Sequence, residues 1–339
     1  MATGLRRVSL SILFVAAAAA GVLICPSVAG AQTRDGAALA RPESSASLSA
    51  VRKVWEDRGP VKDRNLYWGS GSPDRAPVNP FIFVREDVAA TNPKAVVRDA
   101  NGTTWNVKWD DEVQAEVAAT RLAWAMGLGV EETYYVPAGT IRFPDGRPAF
   151  QRIGSFVDKT GRFTSGARFE RRDPDRVAKG TWPFRRNAVM TDPGYSVLLL
   201  MNVIMGNWDA KDDNTKLVSM SGPDGPVDWY LISDYGACFG KMGGEFSHSK
   251  YRLKDFAASP PVITGISGGR LFLGYKGKNE PFHESVSLEG ARLFAKQAAD
   301  LRLEQIEDAF RAAHASEADL HGFARLVYNR IRQVVAAVQ

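Results

Sequence analysis

The sequence predicts an α+β fold of two lobes, a small antiparallel sheet carrying one helix and then a larger, mainly helical lobe. Three observations predict it. Strand-like runs and tight turns crowd between residues 80 and 153. A strongly apolar run over residues 197–205 is long enough for a buried helix and too short to cross a bilayer. Two amphipathic stretches, residues 287–314 and 317–338, close the chain. With 339 residues, 45% hydrophobic and 24% charged, the chain can bury a sizeable core. The expected division is residues 1–31, a signal peptide; 32–79, a flexible leader and N-terminal extension; 80–153, the sheet lobe; and 154–339, the helical lobe.

Residues 1–31 carry the three parts of a secretory signal: Arg6-Arg7, an apolar run over residues 10–24, and the small residues Ala29-Gly30-Ala31, after which cleavage is expected. The run is short and Ala-rich, so membrane contact is expected only through an uncleaved signal. Val22-Leu23-Ile24 before Cys25 lacks the small residue that lipidation needs. The protein is therefore expected to be exported, periplasmic or secreted. Removing the two Arg of this segment leaves 41 basic and 38 acidic residues, a net charge of +3 that excludes no partner by itself. Cys238 would then be the one remaining cysteine, with no internal disulfide partner, which fits a bacterial envelope and a small buried hydrophobe.

Residues 32–50 have little that packs. Residues 51–57 have a short helical pattern and lead into Tyr67-Trp68-Gly69-Ser70-Gly71-Ser72-Pro73, read as a plain loop because it lacks a full glycine motif and Pro73 removes a donor. Residues 80–84 read as a strand. Residues 94–97 and 103–108 form a hairpin around Asp99-Ala100-Asn101-Gly102, since Asn-Gly accepts the positive φ of tight turns. It ends on Lys108. Residues 112–127 place Val113, Val117, Leu122 and Met126 at helical spacing and stop at Gly127, with Glu116 one turn in. Residues 134–141 and 148–153 read as strands around the turn at residues 144–146, leading to a hinge near Gly154. The Arg-rich residues 162–186 read as a solvated insertion or, alternatively, a surface for an anionic substrate.

The apolar helix at residues 193–205 feeds into Gly206, after which Asp209, Lys211 and Asn214 stand as D-x-K-x-x-N. Short strands at residues 217–220 and 229–232 follow, and Asp234-Tyr235-Gly236 falls at a strand end. D-x-K-x-x-N followed by Asp-Tyr-Gly resembles the phosphotransfer site of protein kinases; in such a site a triphosphate with its divalent cation needs hard oxygen ligands, which Asn214 and Asp234 would supply, and an attacking hydroxyl needs a carboxylate, which Asp209 would supply. Lys211 would neutralise charge on the transferred group. The competing reading is an acidic surface turn. Beyond Gly240 the chain is Gly-, Lys- and Ser-rich to about Gly277.

The order of these motifs resembles the catalytic loop and Asp-Phe-Gly of protein kinases, and a strand ending on Lys108 before a helix carrying Glu116 is similar to the way those enzymes hold the α- and β-phosphates. Asn92-Pro93-Lys94 before the hairpin is similar to the start of the phosphatidylinositol-kinase and HipA-like folds. The resemblance spans residues 80–240 and implies a bilobal protein-kinase-like fold using ATP with Mg2+ or Mn2+. By resemblance Lys108 contacts phosphates, Glu116 orients it with Glu112 as the alternative partner, and the turn from Thr91 through Asn92 to Lys94 covers them. Asp209 and Lys211 carry the catalytic roles; Asn214 and Asp234 hold the metal. Asn207-Trp208 stands where kinases have His-Arg, Tyr235 replaces Phe, and no Ala-Pro-Glu follows, so an atypical relative is implied. The acceptor, on a protein, lipid or glycan, is left open; the alternative is a kinase-shaped pseudokinase that binds without transfer.

Gly265-Ile266-Ser267-Gly268-Gly269 matches the serine-hydrolase pattern, but the residues after it read as strand where the elbow needs a helix. His248, His283, His314 and His321 lack metal-ligand spacing. No motif or charge excess supports nucleic-acid binding.

Overall fold

The structure, a computed structural model, describes residues 50–89, 92–243 and 247–339. The signal segment, most of the leader and Thr91 lie outside the described residues. The chain enters through β1 (Val51–Lys53), a strand where the sequence pattern predicts a helix. It pairs in parallel with residues 227–229, so a free sheet edge satisfies backbone groups that a one-turn helix would leave half unpaired.

The upper lobe is a seven-stranded sheet, mostly antiparallel. β2 (Phe81–Asp87), β3 (Lys94–Arg98) and β4 (Thr104–Lys108) follow the expected order, with Gly102 at φ +83° in the turn between the last two. Next comes α1 (Val113–Ala125), ended by Gly127 at φ +87°, then β5 (Thr133–Val136) and β6 (Gly139–Arg142). Residues 148–153 form no strand. The Glu86 carboxylate accepts the N–H groups of Gln151, Arg152 and Ile153 at 2.7–2.8 Å, replacing the partner strand that the sequence pattern assumes.

Nor does the sheet end at Ile153, where the sequence placed the lobe boundary. β7 (Arg162–Phe163) joins its edge, and β8 (Ala167–Arg171) inserts between β4 and β5, giving the order β5-β8-β4-β3-β2-β6-β7. The expected solvated insertion is thus, at its centre, an interior strand. On one face of β4 and β8, Trp105, Val107 and Phe169 join a buried aromatic cluster with Phe81, Trp109 and Phe163. The alternating residues Asn106, Lys108, Arg168 and Glu170 face the other way, toward the lower lobe.

β9 (Val177–Gly180) leads down to α2 (Pro193–Met205). Asp192 caps this helix by accepting the Gly194 N–H at 2.7 Å, and Gly206 at φ +67° ends it. All but the first of its residues are buried, as expected for so apolar a run. β10 (Thr215–Gly222) and β11 (Gly225–Ile232) form a hairpin, completing a second sheet, β1-β11-β10-β9.

After α3 (Leu253–Ala257) the lower lobe is not all helical. β12 (Ile263–Ser267) and β13 (Arg270–Leu273) make a hairpin through Gly268 and Gly269, both at positive φ. Ser267 therefore sits beside a hairpin turn, with no strand-to-helix elbow. α4 (Glu280–His283) and β14 (Ser285–Ser287) follow, the latter pairing with β13. The first closing helix is two, α5 (Leu288–Ala298) and α6 (Leu303–Ala312): Gln305 accepts the Arg302 N–H at 3.2 Å and starts a new helix, while Leu301 is buried in the break. α7 (Glu317–Val338) ends the chain. No helix among the described residues is long and apolar enough to cross a membrane.

Candidate active site

A cleft of about 830 Å3 opens between the two lobes. Its upper wall is the polar face of the sheet. Lys94 pairs in register with Lys108, and Lys108 with Arg168, so three cations lie in one row across β3, β4 and β8. Such a row repels itself unless anions are set into it, and α1 supplies them.

Glu116, at 1% exposure, pairs through one oxygen with Lys108 and through the other with Arg168. Glu112, at the start of α1, pairs with Lys108 and with Lys250, and accepts a 2.7 Å hydrogen bond from Asn92. The sequence left Glu112 and Glu116 as alternative partners for Lys108; both engage it. Arg168 continues to Glu170 at 2.9 Å, Glu170 to Lys216 at 3.6 Å, Lys216 to Glu131 at 2.6 Å, and Glu131 to Arg176 at 3.2 Å. From Lys250 to Arg176 runs a chain of charges of alternating sign, which lines the cleft as far as Lys216.

Burial alone would lower the Lys108 pKa, but Glu116, Asp234 and Glu112 outweigh it and hold the ammonium above the ordinary lysine value. Burial pushes Glu116 up against the pull of Arg168 and Lys108. Burial likewise pushes Asp110, 3.8 Å from Lys108, up to about 7.

The lower wall is the loop after α2. Gly206 turns the chain, and Asn207, fully buried, donates its backbone N–H to the Asn202 carbonyl at 2.8 Å and its side-chain amide to Asn202 Oδ1 at 3.2 Å. Tyr275 donates to the Asn207 carbonyl at 2.8 Å, and Asn279 donates to the Ala210 carbonyl and to Asp212. Beneath them, the Nδ1 of buried His283 lies 3.1 Å from the Asn279 carbonyl and its Nε2 3.1 Å from the Asn202 amide nitrogen; these partners place the proton on Nδ1. So anchored, the loop presents Asp209, whose Oδ2 accepts from Lys211 and from Asn214, each at 2.9 Å. The D-x-K-x-x-N residues thus form one hydrogen-bonded unit rather than a solvated turn.

The Asn214 carbonyl accepts the Ser233 N–H at 2.9 Å, an extension of the hairpin that brings Asp234 beside Asn214. Asp234 Oδ1 accepts the Gly236 N–H at 2.8 Å, and its Oδ2 lies 4.0 Å from the Lys108 ammonium. Burial raises the Asp234 pKa, but Lys108 and the Gly236 N–H overcome it and hold the carboxylate below its usual range. A side chain at Gly236 would meet Glu112, whose Oε2 lies 2.6 Å from where a Cβ would stand. Space, not backbone conformation, explains this glycine.

A divalent cation fits this lower wall. Asn214 commits its amide nitrogen to Asp209, leaving its amide oxygen as acceptor, and Asp234 keeps one carboxylate oxygen outside the Gly236 bond. Two hard protein oxygens plus phosphate and water are a usual set for Mg2+. The carboxylates of Glu112, Glu116 and Asp234 also approach within 4.8 Å of one another, but the Lys108 ammonium already pairs with both glutamates.

The cleft therefore gathers all eight residues singled out in the sequence: Asn92, Lys94, Lys108, Glu116, Asp209, Lys211, Asn214 and Asp234. Asn92 spends its amide on Glu112. Sequence reasoning missed Arg168, Glu170, Lys216 and Lys250. The alternation Arg168-Phe169-Glu170, charged on one face and aromatic on the other, was the available signal for β8.

No protein-family model matches the sequence, and no curated protein matches it. Among solved structures the chain is similar to the Helicobacter pylori proinflammatory kinase CtkA, at 10% identity over 77% of this chain and 98% of that one, with a TM-score of 0.46. It is similar to the Golgi casein kinase with Mn/ADP bound, at 12% identity over 84% and 80%, TM-score 0.42. It is also similar to hydra Fam20 with sugar, at 10% identity over 78% and 86%, TM-score 0.40.

Proposed function

We propose that this protein is a metal-dependent phosphotransferase that binds ATP with Mg2+ or Mn2+ and transfers the terminal phosphoryl group to a hydroxyl on a protein, lipid or glycan. One observation carries the proposal. The buried Lys108–Glu116 pair lies 4.0 Å from Asp234 on one side of a cleft whose other wall is the bonded unit Asp209, Lys211 and Asn214.

Each residue then has a task. Lys108 meets phosphate oxygens, held in place by Glu116, and Lys94 adds charge at the mouth of the sheet. Asn214 and Asp234 hold the cation, which supplies charge neutralisation along the phosphate chain. Asp209 orients the acceptor hydroxyl and takes its proton as the new P–O bond forms and the bridging P–O bond breaks, releasing a diphosphate. Lys211, paired with Asp209, offsets charge on the phosphoryl group in flight.

One observation favours the second reading, a pseudokinase: Lys108 is 1% exposed, with Glu112 paired to it, so a phosphate reaches it only when Glu112 moves. Calorimetric titration with Mg·ATP and an ATP-hydrolysis and autophosphorylation assay decide between them. Metal-dependent binding with turnover supports transfer; binding without any turnover supports the pseudokinase; no binding removes both. We also infer export, from the signal-like residues 1–31, which intact mass measurement of envelope protein beginning at Gln32 would support and a cytosolic species retaining Met1 would exclude.

A further inference from the structure

We infer that the cleft recognises its donor by the polyphosphate chain and gives little hold to a base, so that triphosphates of different nucleosides and inorganic tripolyphosphate bind alike. This rests on the phosphotransfer reading of the same cleft and narrows its substrate class. Pockets for drug-sized ligands are mostly apolar, with a few polar groups for orientation. Here the proportions are reversed. Among the described residues lining the cleft, the apolar side chains are three alanines, Ala89, Ala95 and Ala237, with no aromatic or branched aliphatic residue. Ala95 belongs to the aromatic cluster on the far face of the sheet, which leaves even less for a ring to rest on.

The part of the cleft beyond the phosphate-facing residues is charged. Asn106 lies two residues before Lys108 on the same face of β4, and Lys216 lies two residues after Asn214. Between them sits Glu170, accepting from Asn106 at 3.3 Å and ion-paired with Lys216 at 3.6 Å, while Lys216 also holds Glu131 at 2.6 Å. A heterocycle laid over this wall would strip water from ionised groups without replacing their bonds, which is unfavourable. Trp208, beside Asp209, offers no better platform: it is 8% exposed and stacks on His248 with ring centroids 3.6 Å apart. A phosphate chain, by contrast, meets Lys94, Lys211 and Lys250 along the same cleft, and Lys108 once Glu112 moves.

The test is calorimetry on the full chain with Mg2+ and, in separate arms, ATP, GTP, tripolyphosphate and adenosine. A base stacked on an aromatic platform adds about 5- to 150-fold to affinity, so without one the first three should agree within about threefold. Adenosine should neither bind nor compete at millimolar concentration. ATP or GTP binding more than about tenfold tighter than tripolyphosphate, ATP binding more than about tenfold tighter than GTP, or competition by adenosine, overturns the inference while leaving phosphotransfer standing, since that is the gain a real base site gives. If no arm shows metal-dependent binding, phosphotransfer falls and takes this inference with it. The tripolyphosphate arm separates the two sources of the chain, nucleotide and inorganic.

Discussion

Lys108 on β4 and Arg168 on β8 stand directly opposite each other across adjacent strands, and one buried carboxylate, Glu116, pairs with both. Glu116→Gln leaves two buried cations facing each other with a neutral amide between them. The expected loss is about 3–5 kcal/mol of unfolding free energy, the usual cost of removing one partner from a buried charge pair. Arg168→Met in the same chain should recover part of it, because the repulsion is then gone. Urea denaturation of the two variants and their double mutant measures both terms.

Asp209 and Asp234 should separate in function. Asp209→Asn is expected to leave Mg·ATP affinity near wild type while lowering transfer about 10²- to 10⁴-fold, as loss of a positioned base does. If Asp234 holds the cation as proposed, Asp234→Asn removes a charged ligand, so binding and transfer should fall together. Calorimetry paired with an initial-rate assay reads the split, and equal effects of the two substitutions on binding would contradict the assigned roles.

His283 sets a pH limit on the loop. Burial is the main cause of its depressed pKa, about 4 against 6.5 for a free imidazole, only partly opposed by the Asn279 carbonyl. The folded state keeps the ring neutral while the unfolded chain takes up a proton below about pH 6.5, so stability is full above that pH and is lost as pH falls toward 4. The shift corresponds to roughly 3 kcal/mol at most. His283→Asn should flatten the slope of unfolding free energy between pH 6.5 and 4, measured by denaturation at a series of pH values.

Gly236→Ala would place a methyl group 2.6 Å from Glu112 Oε2 and 2.7 Å from its Cδ. Glu112 must then leave Lys108 and Lys250, at an expected cost of about 1–3 kcal/mol for overpacking. Glu112→Ala in the same chain removes two of the three closest atoms, so the double variant should lose clearly less stability than the sum of the two single substitutions. A thermal-shift comparison of single and double variants checks this.

The elements with local signatures were legible in the sequence. The Asn101-Gly102 hairpin, the helix ending at Gly127 and the apolar helix over residues 193–205 each carry their own start or stop signal, and the structure has all three. The central charges were partly legible, because Asp209, Lys211, Asn214 and Asp234 keep a short spacing along the chain. Arg168 and Glu170 were not: among so many arginines, a strand whose two partners lie some sixty and some thirty-five residues earlier has no local mark, and its neighbours are chosen by tertiary pairing. Residues 148–153 misled for the converse reason. Their extended, partly apolar pattern fits a strand, but a single carboxylate, Glu86, satisfies the backbone instead.

The alternating charges that thread the cleft cross between the lobes at two places, Lys250 with Glu112 and Lys216 with Glu131 and Glu170. Both lysines belong to the lower lobe and keep about a third of their side chains in solvent, at 33% and 30% exposure, whereas Lys108 and Glu116 at the centre keep 1% each. At 0.1 M salt the screening length is about 10 Å, short enough to weaken pairs at the rim and of little effect on those inside. Ionic strength therefore acts on the pairs at the rim and hardly at all on those between them, so the contacts that tie the two walls together and the buried charges at the centre respond to salt as separate sets.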